Sequence, residues 1–386
     1  MARAMGGRFD GRVLVLHNRY RIAGGEERSV ELHVRALEEA QVPWKLIERR
    51  SADSTRIGSG IALLTGGSRV GDLAAAVRRF EPHVVHAHNI HPLIGPRALA
   101  AARQSGARIV LHLHNARLFC AIGVASRDGE PCFRCRGRRT LPGLLLNCRD
   151  SVPEAVAYAA GLALHQSAIW QAVDRFVTPS RHGAEQLAML GVPPGRLTVL
   201  PHYLPADAFV GESRAGHGRY ALVIGRLSDE KAIDVAIEAA AASGVPLRIA
   251  GEGPLAETLS GLAQRLEAPV RLLGRLDRAE IARELAGAAM LVLPSRYHEF
   301  APYAVLEAMA AGVPVVGTTL GGVAELIGPE NCVLPNDPQS LAARMSSLWA
   351  DGELRRSQGQ MLIATARERY GGERYRRDLL LLYADI

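Results

Sequence analysis

Short apolar runs recur along this chain, each followed by a stretch with helical periodicity, and the series is played through twice. In the first half the runs are RVLVLH (12–17), KLIER (45–49), HVVHAH (83–88) and RIVLHLH (108–114), with helices expected near 26–40, 72–80 and 96–104. After a long irregular segment the alternation resumes with a helix near 153–170, a strand at 175–180, a helix near 182–190 and a strand at 197–201. Strands that read apolar on both faces and alternate with helices form a parallel sheet covered on both sides. From 203 to 218 no apolar period survives, and Pro205, Gly211, Gly216 and Gly218 mark a linker. The second series follows: YALVIGR (220–226), LRIAG (247–251), VRLLG (270–274), then runs at 290–293 and 313–316, with helices near 232–242, 254–266 and 278–286. Residues 338–386 read as helical, and the amphipathic stretch 373–383 must cover something. Two such halves place a cleft between the C-terminal edges of two sheets, where ligands bind in folds of this kind.

At 386 residues the chain is long enough for two domains, and 48% hydrophobic with 22% charged residues is ordinary globular composition. The N-terminus has only a short apolar run before Arg19 and Arg21, so it reads as a first buried strand and not a signal peptide. The longest uncharged apolar stretch, 155–164, is too short to span a bilayer. The net charge of +7 is uneven: residues 1–207 carry 27 Lys and Arg against 17 Asp and Glu, whereas the remainder is net acidic. A basic first half suits phosphate or anionic lipid, or is simply a solvated surface. Residues 51–70, rich in Gly, Ser and Thr, are expected to form a mobile loop.

Within the second half, 291–325 carries the densest chemistry. Two apolar strands flank a short alanine-rich helix from about Pro302 to Ala311, which Gly312 is suited to end. Glu299 precedes the helix, Glu307 lies on it, and Gly321 and Gly322 open the next one with bare amides. Carboxylates that accept from sugar hydroxyls beside amides that hold phosphate suit a nucleotide sugar; capped helices with solvated glutamates are the alternative. In GRLSDEKAID (225–234) a strand ends at Gly225, and Arg226, Lys231 and a helix start could converge on a pyrophosphate. The competing reading is a surface loop with an Asp229 to Lys231 contact. Gly24 and Gly25, between the first strand and helix, offer a weaker turn of the same kind.

GRLSDEKAIDVAIEA together with HEFAPYAVLEAMAAGVPVVGTTLGGVAELI resembles the donor half of glycosyltransferase family 4, retaining enzymes of the GT-B fold. GGEER (24–28), VVHAHN (84–89) and LHNARLFC (113–120) resemble that family's first half. The resemblance implies an α/β GT-B architecture, two Rossmann-like domains facing across a cleft. An acceptor-side domain would span 1–205 with a cysteine-bearing insertion at 115–150. A donor domain would span 206–370, and a last helix, 371–386, would pack back toward the N-terminal domain. It further implies that Arg226 and Lys231 bind the donor diphosphate, that Glu307 holds the ribose hydroxyls, and that Glu299 and His114 attend the transferred sugar, with no cofactor needed for catalysis. The acceptor would be a hydroxyl on a sugar, a lipid-linked glycan or a small molecule. His202 and Tyr203 stand where the family commonly has Asn-Gly, and Phe300, Ala301 and Pro302 replace the more usual Gly-Phe-Gly.

Cys120, Cys132, Cys135 and Cys148 surround one C-x-x-C, and four thiolates would close a structural zinc site that staples a long loop. Free cysteines are the alternative. His86, His88, His91 and His112 crowd the same strand edges and are a lesser metal candidate. Arg134, Arg136, Arg138, Arg139 and Arg149 near the cysteines, with the segment 155–164, could meet a membrane surface from the cytoplasm. Rival functions are a sugar-nucleotide epimerase or phosphorylase of the same fold, or a zinc-containing nucleic-acid-binding protein. The low aromatic content, 5%, and the acidic second half disfavour nucleic acid as a partner.

Overall fold

A computed structural model describes residues 9–21 and 24–386. The expectation for the first eight residues lies outside the described residues. The chain divides into an N-terminal unit, Met1–Ala125 with Cys132–Pro201 and Glu373–Ile386, and a C-terminal unit, Ser126–Pro131 with His202–Gly372.

The strands of the N-terminal unit are β1 (Val13–Arg19), β2 (Trp44–Arg50), β3 (Val84–Ala87) and β4 (Arg108–His112). The short hairpin of β5 (Ser126–Arg127) and β6 (Glu130–Pro131) belongs to the other unit, and β7 (Arg175–Thr178) and β8 (Leu197–Val199) complete the sheet. Its order is β2-β1-β3-β4-β7-β8, all parallel. Val13, Leu14, Val15 and Leu16 are fully buried, as a central strand covered on both faces requires. The C-terminal unit holds β9 (Ala221–Ile224), β10 (Leu247–Ala250), β11 (Val270–Gly274), β12 (Met290–Leu293), β13 (Val315–Thr318) and β14 (Cys332–Val333). Its parallel order is β11-β10-β9-β12-β13-β14. Ala236, Ala239 and Ala240 on the helix Ile233–Ser243 keep its core face small, so the helix Pro338–Ala350 packs closely on it through Leu341 and Met345.

In each sheet the strand order reverses once, between β1 and β3 and between β9 and β12. Ligands bind beyond the carboxyl ends of the strands at such switch points. The loops leaving these four strands are therefore where a ligand would be met.

Two expectations need correction. The segment 51–70 is not a loop, because Thr55 accepts from the Gly58 amide and starts a helix, Arg56–Thr65, that Gly66 ends at φ +81°. Its Ala62 and Leu63 bury against the helix Val152–Ala172, so the apolar residues outweigh the glycines and serines around them. The strand expected at 108–114 stops at His112, which leaves His114 in the loop beyond it.

Candidate active site

At the C-terminal switch point, the loop after β9 is braced by the loop after β10. Leu227 donates its amide to Glu252 and accepts one from Leu255. Gly251, at φ +154°, lets the two backbones meet: a Cβ there would stand 1.8 Å from the Gly225 carbonyl oxygen. This fixes the turn that carries Lys231 toward the loop after β12. There the Lys231 ammonium lies 2.5 Å from Glu299 Oε1 and 3.2 Å from the Tyr297 hydroxyl, which donates to Glu299 Oε2 at 2.6 Å. Ser295 donates to Glu299 Oε1 at 2.9 Å, and the Thr318 hydroxyl in turn holds the Ser295 carbonyl at 2.8 Å. Glu299 is 5% exposed. Burial lowers the affinity of the Lys231 amine for its proton, but Glu299 and Tyr297 outweigh this and hold it above the usual lysine range. Burial, then the Glu299 charge, push the Tyr297 phenol up.

Gly321 and Gly322 brace Glu299. Gly321 sits at φ +79°, and a Cβ on it would lie 2.3 Å from the Glu299 carbonyl oxygen, which accepts from the Gly322 amide at 2.7 Å. That amide is therefore engaged and not bare, and the helix that follows, Val323–Ile327, is a single short turn. The helix expected from Pro302 to Ala311 spans Tyr303–Ala310, with Gly312 at φ +68° just beyond its C-cap. Glu307 lies half-buried on it, and Arg226 is exposed on the loop after β9. The contact of Asp229 is with Arg296, at 2.9 Å, and not with Lys231; Arg296 also reaches Asp234 at 2.5 Å. His202 stacks on Tyr303, rings 4.5 Å apart, and burial pushes its pKa down to about 3. The His-Tyr pair in place of Asn-Gly is thus a packing feature of the helix start. A wider surface hollow of about 560 Å³, lined by Asp128, Asp229, Asp234, Glu238 and Arg296 among others, does not include Lys231 or Glu299.

At the N-terminal switch point the material is different. Asn18 and Asn89 extend the pairing of β1 and β3 through two hydrogen bonds of 2.7 and 2.8 Å, which points Tyr20 and His88 to the same edge. Glu26, on the first turn of the helix Gly25–Glu39, accepts from the Tyr20 hydroxyl at 2.9 Å and from Asn115 at 3.2 Å. Burial pushes the Glu26 carboxyl up to about 8. Gly24 caps this helix with its amide donated to Glu27 at 2.6 Å, and Gly25 is exposed beside it. His88 Nδ1 and His114 Nε2 stand 2.9 Å apart. His114 also stacks on His112 at 4.2 Å.

Behind them runs a buried chain: Tyr375 to His33 at 3.1 Å, His33 to Tyr383 at 3.1 Å, Tyr383 to His86 at 2.8 Å, His86 to His112 at 3.3 Å. Both tyrosines come from the helix Gly372–Ala384, so its apolar face covers the sheet of the N-terminal unit. Burial pushes His33 and His91 down to about 3, and burial with the neighbouring imidazoles holds His86 and His88 well below the ordinary value.

Residues 1–202 match the family model described as glycosyl transferase 4-like domain, and residues 209–362 match glycosyl transferases group 1. The chain belongs to the glycosyl transferase 4-like family. It is 33% identical over 180 residues to a putative colanic acid biosynthesis glycosyltransferase of Salmonella typhimurium, an alignment covering 42% of this chain and 44% of that one. It is 38% identical over 140 residues to glycogen synthase of Mycobacterium tuberculosis, covering 34% of each. The chain thus spans less than half the length of these curated relatives. Among solved structures, sucrose-phosphate synthase of Thermosynechococcus elongatus superposes with a TM-score of 0.73 at 18% identity, over 97% of this chain and 98% of that one. Anabaena HepE, solved with UDP, gives 0.67 at 16%, over 97% and 100%. These likenesses establish the GT-B fold.

For a member of this family, several residues of both sites escape sequence reasoning. Tyr297 and Ser295 stand two and four residues before Glu299, and that alternate spacing in the loop after β12 was the available signal. Tyr20 and Glu26, which follow β1, meet Asn115 and Arg117, which follow β4, because only β3 separates those two strands in the sheet. The four cysteines are near enough for the other three to add to the burial that pushes Cys135 up to about 11. They are not, however, among the trios of ligand atoms within 4.8 Å, which among the described residues are both of histidines. Among the described residues no helix is long and apolar enough to cross a membrane.

Proposed function

We propose that this chain is a retaining glycosyltransferase that moves a hexose from a UDP-sugar to a hydroxyl of a glycan, a lipid-linked glycan or a small molecule. The observation that carries the reading is the Lys231 and Glu299 pair at the β9 to β12 switch point. A cation and a carboxylate held against each other in one buried network neutralise one another until a ligand supplies better partners for both. A donor diphosphate would take Lys231 and the exposed Arg226, and a sugar hydroxyl would donate to Glu299. Glu307 would accept from the ribose hydroxyls. As the glycosyl to phosphate bond breaks, negative charge grows on the departing diphosphate, and fixed cations stabilise it more in the transition state than before. The acceptor hydroxyl would attack from the leaving-group face and pass its proton to the diphosphate. His114, half-buried in the loop beyond β4, would hydrogen-bond the hexose. UDP is the favoured nucleotide because the structural neighbour HepE was solved with UDP and with UDP-glucose.

On the acceptor side, the helix Arg56–Thr65 exposes Ile57 (77%) and Ile61, and the helix Leu141–Leu145 exposes Leu141 and Leu145 (74%). Both pack on the helix Val152–Ala172, with Arg134, Arg136, Arg138 and Arg139 exposed nearby in the chain. Apolar side chains among arginines suit the cytoplasmic face of an anionic membrane, where a lipid-linked acceptor would be met. The four cysteines would hold a structural zinc once their sulfurs converge.

Incubation with UDP-[14C]glucose, UDP-galactose and UDP-N-acetylglucosamine against a panel of sugar and lipid-linked acceptors tests the reading. Transfer with retention of the anomeric configuration is expected. Release of an epimerised sugar nucleotide, or of sugar phosphate without an acceptor, would place the chain in a different reaction class.

A further inference from the structure

We infer that His88, His112 and His114, at the N-terminal switch point, form a binding site for one divalent transition-metal ion of the zinc type. One ring nitrogen from each lies within 4.8 Å of the other two. The nearest pair, His88 Nδ1 and His114 Nε2, is at 2.9 Å, and tetrahedral ligation at about 2.0–2.1 Å needs neighbouring nitrogens about 3.3 Å apart.

Three further observations point to a ligand. The trio lines a cavity of about 20 Å³, room for one water or one ion and little else. Two polar atoms of residues lining that cavity, His88 Nε2 and Glu26 Oε1, are buried without a hydrogen bond. His88 is 2% exposed and Glu26 8%. No hydrogen bond at Nε2 fixes the His88 tautomer, so its proton can sit on whichever nitrogen the ion leaves, and no proton need be lost. His112 is anchored from behind, its Nδ1 facing His86 Nε2 at 3.3 Å while His86 Nδ1 faces Tyr383, the kind of outer partner that orients ligating histidines. The second histidine trio, His33, His86 and His88, shares only His88 with the lining of that cavity.

The test uses the untagged full chain carrying Cys132→Ser and Cys135→Ser, which removes the thiolate site from consideration. After equilibration with zinc and desalting, one zinc per chain should remain. Its X-ray absorption spectrum should show nitrogen ligands at about 2.0–2.1 Å with imidazole scattering and no sulfur shell at about 2.3 Å. His88→Asn in the same background should weaken zinc binding by more than the roughly 10–100-fold that losing an outer partner costs. Should that variant fail to fold, the absorption spectrum of the parent chain decides alone. No retained zinc, a spectrum without imidazole, or unchanged affinity in a folded His88→Asn variant would overturn the proposal. None of these readouts involves sugar transfer, so the metal site is tested apart from Lys231 and Glu299.

Discussion

At the switch point of the C-terminal sheet, Lys231 and Glu299 stand as partners in an ion pair, 2.5 Å apart and tied to Tyr297 and Ser295. At the switch point of the N-terminal sheet, burial instead strips charge away: the histidines are held neutral and the Glu26 carboxyl keeps its proton up to about 8. One topological device thus carries two kinds of chemistry. The charged network suits a diphosphate and a polar sugar. The neutral network suits hydroxyl groups and lone-pair ligation, where a fixed charge would be out of place.

Four experiments break or sharpen that contrast. The largest effect is expected from Lys231→Ala, which leaves Glu299 buried without its cation. Removing one partner of a buried pair costs about 3–5 kcal/mol, and transfer should be lost with it. Chemical denaturation of Lys231→Ala and of Lys231→Ala with Glu299→Gln separates the two losses, because the double variant should recover most of the stability and none of the transfer.

Acid should attack the N-terminal unit first. His33, His86, His88 and His91 have folded pKa values far below the ordinary histidine value, so the stability they contribute is complete above about 6.5 and is lost as pH falls toward their folded values. Each contributes a slope of about 1.4 kcal/mol per pH unit in that window. The C-terminal unit has only His202 shifted this way among the described residues. Hydrogen exchange at pH 5.5 against pH 7.5 should show protection lost at 84–90 and 108–114 before 221–224 and 290–293; simultaneous loss would contradict the contrast.

Gly321→Ala comes next. A methyl group at φ +79° and 2.3 Å from the Glu299 carbonyl oxygen should cost about 1–3 kcal/mol and raise the donor KM by displacing Glu299. The smallest effect on the fold belongs to Arg226→Ala, since the residue is exposed. Its melting temperature should be unchanged, while donor diphosphate binding weakens by the ~1.5–3 kcal/mol of a charge-assisted hydrogen bond, read by calorimetry.

How far each region was legible in the sequence follows the same division. Lys231 and Glu299 lie in the two segments whose residue types stood out in the sequence, and the alternation of apolar runs announced both sheets. The actual partners of Lys231 were less visible, because Asp229 is two residues away in sequence while Glu299 arrives through the crossover from β9 to β12. The helix Arg56–Thr65 was hidden by its glycines and serines, since its stability comes from packing on the helix Val152–Ala172 and not from its own propensity. The chain from Tyr375 to His112 joins residues more than 250 positions apart, and no local pattern carries such a contact.

The central claim is that the C-terminal unit binds a nucleotide sugar through Lys231. Isothermal titration of UDP-glucose into the full chain in EDTA, beside Arg226→Ala and the folded double variant Lys231→Ala with Glu299→Gln, tests it most directly. The account predicts saturable one-to-one binding, weakened in Arg226→Ala and abolished in the double variant. Undiminished binding in the double variant would contradict it.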